Sequence, residues 1–117
     1  STVDYIGAVQ GIPVCFDAKE CDTDTFPLQN IHAHQVEFMG DFERQDGVSF
    51  LIILFAKRNE LYFLPYQRMK EFWDRAQDGG RKSFRRNELD PAYVLNPHGG
   101  YLVPYLDGIQ KVIDESG

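Results

Sequence analysis

Two aspartates and a lysine near the start of the chain have residue types and a spacing that suit metal-assisted chemistry on phosphate esters. Asp4 lies in the first of two predicted strands joined by a turn, and Asp17 and Lys19 lie in the second. Because side chains alternate along a strand, Asp17 and Lys19 share one face, and pairing of the strands brings Asp4 beside Asp17. Two adjacent carboxylates repel unless a cation lies between them, and hard cations such as Mg²⁺ prefer oxygen ligands.

The lysine adds a positive charge to this pair of acids. An ammonium group beside a bound metal orients an attacking water and offsets negative charge that develops at phosphorus. Such a site can carry out metal-assisted phosphodiester hydrolysis. Phe16 and Ala18 alternate with Asp17 and Lys19, and we expect them to face the core. The competing interpretation is a surface ion pair between Asp17 and Lys19, which contributes little to stability.

The elements around these residues predict one mixed α/β unit with helices covering a central sheet. Apolar periodicity predicts strands over residues 3–9, 14–21, 48–55, 61–64 and 101–103. It predicts helices over residues 28–45, 65–77 and 105–114, with Asn30 as a cap of the first. Residues 10–13 and 99–100 are predicted turns, and residues 22–27 and 81–84 are predicted loops.

Composition limits the classes of protein that the chain can be. The 117 residues are 43% hydrophobic and 26% charged, which suits one globular domain. The net charge of −6 argues against a protein whose whole surface binds nucleic acid, although it leaves room for a local basic site. No apolar run reaches the ~18 residues of a membrane span. Cys15 and Cys21 lie about 20 Å apart in one predicted strand, too far for a disulfide, and free thiols fit a reducing cytoplasm.

Three further groups of residues have a functional interpretation beside a structural one. Four basic residues fall within one short segment that either contacts a phosphate backbone or forms a solvated loop near Asp78 and Glu88: Arg81, Lys82, Arg85 and Arg86. His32 and His34 lack the neighbours of a zinc site. We expect one of these histidines to pack and the other to be partly exposed, with His34 near DNA. Trp73 is either a stacking platform for bases or part of a core helix face.

Several sequence runs resemble one protein family. STVDYIG, FDAKEC and FPLQNIHAHQ are similar to the RecU family of bacterial Holliday-junction resolvases, within the PD-(D/E)xK nuclease superfamily. The similarity continues through DGVSFLIILF, FWDRAQDGGRKSF and NELD, so it covers nearly the whole chain in order. The resemblance implies a restriction-endonuclease-like core and a Mg²⁺-dependent endodeoxyribonuclease, with Mn²⁺ as a substitute. It also implies four-way junction substrates in recombination and repair, a homodimer, a recombinase partner and a cytoplasmic, nucleoid-associated location.

The resemblance assigns roles to five positions. Asp4 and Asp17 would bind the metal, Lys19 would stabilise the transition state, and Thr2 and Gln35 would complete the metal site. The family usually has Glu where this chain has Asp17, which keeps the charge but shortens the side chain. Family members also carry a region before STVDY, so we expect residues 1–117 to be a single nuclease domain that lacks it.

Two other functions stay open from the sequence alone. One is an accessory domain of the same fold that binds junction DNA or a recombinase without cutting; the substitution at Asp17 and the expected loss of the preceding region favour it. The other is a nuclease for a different substrate, such as linear or branched phage DNA. Metal binding separates the accessory domain from a nuclease, and comparison of DNA substrates separates the two nucleases.

Overall fold

The computed structural model describes residues 2–95. The predicted strand over 101–103, the turn at 99–100 and the helix over 105–114 lie outside the described residues. Among residues 2–95, neither of the two α-helices is long and apolar enough to cross a membrane.

Six strands and two α-helices make up the described part of the chain. The strands are β1 (Tyr5–Val9), β2 (Ile12–Cys21), β3 (Thr25–Pro27), β4 (Val48–Phe55), β5 (Glu60–Pro65) and β6 (Ser83–Arg85). The helices are α1 (Ala33–Arg44) and α2 (Tyr66–Gln77). Short 3₁₀ helices cover Leu28–Asn30, Ala56–Arg58, Arg86–Glu88 and Pro91–Tyr93.

A four-stranded mixed sheet in the order β1-β2-β4-β5 forms the centre of the fold. β1 and β2 pair antiparallel, β2 and β4 pair parallel, and β4 and β5 pair antiparallel. The parallel pair needs a crossover connection, and α1 provides it. The expectation of an α/β fold with a central mixed sheet flanked by helices is confirmed, and the arrangement is consistent with a restriction-endonuclease-like core.

β4 runs through the middle of the core, as its continuous apolar sequence predicts. All its residues except Leu54 are buried. Ser49, a polar residue within it, is satisfied because its Oγ donates to the Met39 carbonyl oxygen of α1 at 3.1 Å. The apolar face of α2 packs into the same core through Met69 and Phe72.

The predicted start of α1 is wrong by five residues. Residues 28–30 form a separate 3₁₀ turn, and His32 rather than Asn30 is the N-cap of α1. The apolar spacing from Leu28 onward was continuous enough to suggest one helix. The backbone nevertheless stays extended at Ile31 and His32, with ψ values of 127° and 145°.

Two segments that the sequence predicts as loops pair with each other instead. β3 and β6 form a small antiparallel ladder in which Phe26 faces Phe84 across the register. The rings of these two residues stack with centroids 5.0 Å apart, and both side chains are fully buried. Three-residue strands are too short to show a period of two, so the pairing depends on this tertiary contact.

Candidate active site

Asp4 and Asp17 meet at the end of the β1–β2 ladder. Tyr5 pairs with Phe16, so Asp4 is the next residue to come opposite Asp17. Beyond this last backbone pair, the two strands are joined by hydrogen bonds from backbone N–H groups to the two carboxylates. The Asp4 N–H donates to Asp17 Oδ1 at 2.9 Å, and the Ala18 N–H donates to Asp4 Oδ2 at 2.9 Å. The two carboxylates are thus fixed side by side, with Asp4 exposed to solvent and Asp17 only 5% exposed.

Lys19 lies on the same face of β2 as Asp17 and forms an ion pair with it. Lys19 Nζ lies 2.9 Å from Asp17 Oδ2, and both side chains are largely buried, with 14% and 7% of their surface exposed. The interpretation as a surface ion pair therefore does not fit, because neither side chain lies open to water. A buried carboxylate needs such a partner, since an isolated buried charge is costly.

Gln35 connects this pair to α1 through both ends of its amide. Its Nε2 donates to Asp17 Oδ2 at 3.0 Å and to the Thr2 carbonyl oxygen at 3.0 Å. Its Oε1 accepts from Lys19 Nζ at 3.1 Å and from the His32 N–H at 3.2 Å. Two donors face the oxygen and two acceptors face the nitrogen, so the orientation of the amide is determined. The contact with His32 also caps α1.

The expectation that Phe16 and Ala18 face a core is confirmed for Phe16, which packs against the core, and is wrong for Ala18. Asp17 points to the face that α1 covers, whereas Ala18 is exposed and Phe16 is half-buried. Phe16 lies in a row of rings across the other face, stacked between Tyr5 and Phe50 with centroid distances of 5.2 Å to each. The site thus lies under the first turn of α1. The burial of Gln35 and Val36 shows that this turn packs against the sheet.

Comparison with known proteins now decides the family. The family model described as "RecU: Recombination protein U" matches residues 1–111. This chain belongs to the RecU family. It is 42% identical over 113 residues to a protein of Listeria innocua named "Holliday junction resolvase RecU", an alignment that covers 96% of this chain and 55% of that protein. Proteins of the same name from Pediococcus pentosaceus and Limosilactobacillus reuteri are 40% and 39% identical, covering 97% of this chain and 58% and 56% of theirs.

The chain spans just over half the length of these RecU relatives. Among the described residues, no group of three or more His, Cys, Asp and Glu side chains is close enough to hold a metal ion. Within residues 2–95, the acidic part of the site therefore consists of Asp4 and Asp17. Thr2 is beside them, since its carbonyl oxygen accepts from Gln35.

The structure places the two histidines differently from the prediction. His32 and His34 are both exposed, and their rings stack with centroids 5.4 Å apart and planes inclined by 9°. The prediction assumed that both residues lie within a helix. His32 is instead the N-cap with an extended backbone, and this change of conformation between the two residues brings their rings together. The backbone N–H of His32 contacts Gln35, so the pair borders the acidic site.

The four basic residues of the RecU segment 81–86 differ in their surroundings. Arg86 is held inside the fold, where its Nε donates to Glu60 Oε1 at 2.5 Å and its guanidinium lies 5.3 Å from the centre of the Tyr62 ring. Arg81 pairs with Glu88 at 3.5 Å. Within residues 2–95, Lys82 and Arg85 are exposed and make no ion pair. These two retain a free positive charge for a phosphate, and the segment as a whole is partly neutralised.

Two titratable groups with raised pKa values lie between the sheet and α1, the fully buried Cys15 of β2 and the half-buried Glu43 of α1. Burial raises the pKa of the Cys15 thiol to about 12, with a further contribution from Glu43. Burial also raises the pKa of the Glu43 carboxyl, although the Ser49 N–H donates to it at 2.6 Å and the Ser49 hydroxyl, shared with the Met39 carbonyl oxygen, lies 3.2 Å away. Cys15 and Cys21 are both buried free thiols. Thiolates are the reactive form of cysteine, so complete burial and a raised pKa disfavour reaction at Cys15.

Proposed function

We propose that this chain is the nuclease domain of a Mg²⁺-dependent endodeoxyribonuclease that resolves Holliday junctions in recombination and repair. The observation that carries the proposal is the pairing of Asp4 with Asp17 beside Lys19, in a chain of the RecU family. The relatives named above as Holliday junction resolvases support the substrate class. Because the chain spans just over half of those relatives, the activity of the whole protein remains part of the proposal.

The donor set fits a hard divalent cation. Asp4 and Asp17 present carboxylate oxygens side by side, and Thr2 adds a backbone carbonyl oxygen at the same end of the sheet. These residues would hold Mg²⁺, or Mn²⁺ in its place, and Gln35 would complete the site. When bound there, the ion supplies Lewis acidity toward a phosphodiester and neutralises charge on its oxygens.

The residues of the site would have different roles in binding and stabilising the phosphate. Asp4 is exposed and therefore reachable from solvent, whereas Asp17 is buried and held by three hydrogen-bond donors. Lys19 places an ammonium group next to this pair, where it can stabilise negative charge that develops on a phosphate. Besides completing the metal site, Gln35 would position it, because its amide contacts both Asp17 and Lys19. The Ala18 N–H fixes the exposed carboxylate of Asp4.

DNA cleavage tests the proposal. The chain is incubated with Mg²⁺ on a mobile four-way junction and on a linear duplex of matched length and sequence, with EDTA as the metal-free arm. We expect paired nicks in the junction and none in the duplex. Asp4→Asn is the informative variant, because Asp4 is exposed and its loss leaves the buried ion pair intact. We expect it to abolish nicking while the circular dichroism spectrum stays unchanged.

The control for this experiment is a carboxylate on the strand of Asp17, β2, that does not contact the site. Glu20 follows Lys19 on β2, is exposed, and points to the opposite face from Asp17. Glu20→Gln should nick at the wild-type rate. Nicking by Asp4→Asn at the wild-type rate, or equal cutting of junction and duplex, would contradict the proposal.

Further parts of the proposal concern assembly and location. Resolution needs two symmetric nicks, so the active form is a homodimer on branched DNA. A recombinase is a further partner, and the cytoplasm beside the nucleoid is the location that fits DNA repair and free thiols. Analytical ultracentrifugation with and without a junction measures the stoichiometry. Two protein chains per junction are expected, and one chain per junction would contradict the symmetric arrangement.

A further inference from the structure

A cleft of about 410 Å³ lies between α2 and the segment that precedes α1. Its volume is within the range of about 300–1,000 Å³ that is usual for small-ligand pockets. The apolar part of its lining includes Leu28, Ile31 and Trp73. Exposed polar side chains of Gln29, Gln77 and Lys82 complete it.

The lining combines three kinds of group that suit one ligand. Trp73 packs against the core, remains partly exposed and lines the cleft, so part of an aromatic ring system is available there. Gln29 and Gln77 offer amide groups that donate and accept hydrogen bonds. Lys82 adds a positive charge that is not paired within residues 2–95. A flat ring with a polar edge, attached to a phosphate, uses all three.

The cleft is joined to the catalytic residues by a short, ordered segment. Ile31 lines the cleft, and the next residue, His32, donates its N–H to Gln35, which contacts Asp17. On the other side, the Leu28 N–H donates to the Lys82 carbonyl oxygen at 3.0 Å, which fixes β6 beside the 3₁₀ turn. Residues 31–35 therefore connect the lining of the cleft to the acidic pair.

We propose that this cleft binds an unpaired nucleobase of the branched DNA, stacked on Trp73, with Gln29 and Gln77 at the edge of the base and Lys82 on a flanking phosphate. Base stacking on aromatic side chains tolerates any base and combines naturally with a basic contact to the backbone. A chain with a net charge of −6 gains little from non-specific attraction to DNA. A base pocket beside an exposed Lys82 and Arg85 provides local affinity instead. The inference rests on the proposed function, because it names a subsite for the same DNA.

The chain contains one tryptophan, so its fluorescence reports on Trp73 alone. The wild-type chain in EDTA is titrated with a single-stranded oligodeoxythymidylate and with a fully paired duplex of the same length. Binding is followed in parallel by the anisotropy of a label on the DNA. We expect the single strand to quench the Trp73 emission in step with binding, because the base stacks on the indole. The duplex should bind without comparable quenching.

Variants locate the contact. Trp73→Ala should weaken single-strand affinity by about 5- to 150-fold, which is the usual range for loss of one stacked base. Because this variant also removes a partly packed ring, Gln77→Ala is the second variant. Gln77 is exposed, and its loss should weaken the affinity for the single strand about two- to tenfold without altering the fold.

Lys82→Ala should weaken the affinity for the single strand and for the duplex alike, and should lower the salt dependence of binding. Lys57→Ala, an exposed lysine in the 3₁₀ turn after β4, is the matched control and should bind as the wild type does.

The outcomes separate this inference from the proposed function. Single-strand binding without a change in Trp73 emission, or equal quenching by the duplex, would overturn the base pocket and leave the nuclease proposal intact. A change in Trp73 emission that follows protein concentration in the absence of DNA would assign the cleft to a second copy of the chain and would also overturn the inference. Lack of single-strand binding would overturn the base pocket, whereas cleavage of the four-way junction decides the nuclease proposal separately.

Discussion

Gln35 Nε2 donates to Asp17 Oδ2 across 3.0 Å, which ties the first turn of α1 to the middle of a central strand. The same amide accepts from the N-cap residue of its own helix, so one side chain both starts α1 and orients the buried acid. The correct placement of Asp17 therefore depends on the position where the helix begins. The start of α1 at Ala33, rather than at the predicted residue 28, therefore affects the geometry of the site as well as the fold.

Replacing Gln35 removes this connection. Gln35→Ala should lower the free energy of unfolding by about 1–3 kcal/mol, because a buried carboxylate loses a donor and α1 loses its cap. Urea denaturation of the wild type and the variant measures the difference. Gln29→Ala is the control, since Gln29 is exposed in the preceding 3₁₀ turn and should change stability by less than about 0.5 kcal/mol. Equal effects of the two substitutions would contradict the assigned role.

The ion pair between Lys19 and Asp17 should show strong coupling. Lys19→Ala leaves a buried carboxylate without its cation and should destabilise the fold by about 3–5 kcal/mol. In a chain that already carries Asp17→Asn, the same substitution should cost much less, because the charge that needed Lys19 is absent. A double-mutant cycle in urea measures this difference. Additive effects would mean that the two side chains do not interact in solution.

Glu88 predicts a loss of stability in acid. A hydrogen bond from Arg75 holds the pKa of this carboxyl below its ordinary value near 4.5, with help from the Arg85 N–H and Arg81. A carboxyl with a lowered folded-state pKa contributes stability above its unfolded pKa and loses it as the pH falls through the folded one. The wild type should thus exceed Glu88→Gln in unfolding free energy at pH 7, and the gap should close in acid below pH 4.5.

The exposed Glu71 provides the control for Glu88. It pairs with Arg68 at the surface, with 65% of its side chain exposed, so Glu71→Gln should leave the pH profile close to that of the wild type. Chemical denaturation at several pH values between 3 and 7 is the measurement. A gap between wild type and Glu88→Gln that stays constant over this range would contradict the prediction.

Glu43 predicts the opposite dependence on pH. Burial raises the folded-state pKa of Glu43 above its ordinary value near 4.5. Between the unfolded and folded pKa values the native state binds the extra proton, so stability falls as the pH rises through this window. Compared with Glu43→Gln, the wild type should lose unfolding free energy between pH 4.5 and neutrality. Nuclear magnetic resonance of the Glu43 carboxyl provides a direct check, and a folded pKa below 4.5 would contradict the assignment.

The parts of the fold with long periodic patterns were predictable from the sequence. The boundaries predicted for β4 agree with the structure, and α2 begins within one residue of its predicted start. Both segments have a continuous or regularly spaced apolar pattern that does not depend on distant residues. β3 and β6 were missed, because each is three residues long and exists through the stacking of Phe26 on Phe84.

The candidate site was predictable in its residues but not in its geometry. The alternation of a strand was enough to place Asp17 and Lys19 on one face. It could not tell which face α1 covers, so Ala18 was wrongly expected to face the core and the burial of Asp17 was not predicted. The orientation of the Gln35 amide depends on four partners from separate segments. No local pattern in the sequence carries that information.

Binding of Mn²⁺ tests most directly the claim that Asp4 and Asp17 form a metal site for DNA cleavage. Electron paramagnetic resonance of free Mn²⁺, titrated with the wild-type chain, with Asp4→Asn and with Glu20→Gln, measures it without DNA. The account predicts saturable binding by the wild type and by Glu20→Gln, and at least a tenfold loss of affinity in Asp4→Asn. Binding by Asp4→Asn that equals the wild type, or no binding by the wild type, would contradict it, and the second result would favour a domain that binds junctions without cutting.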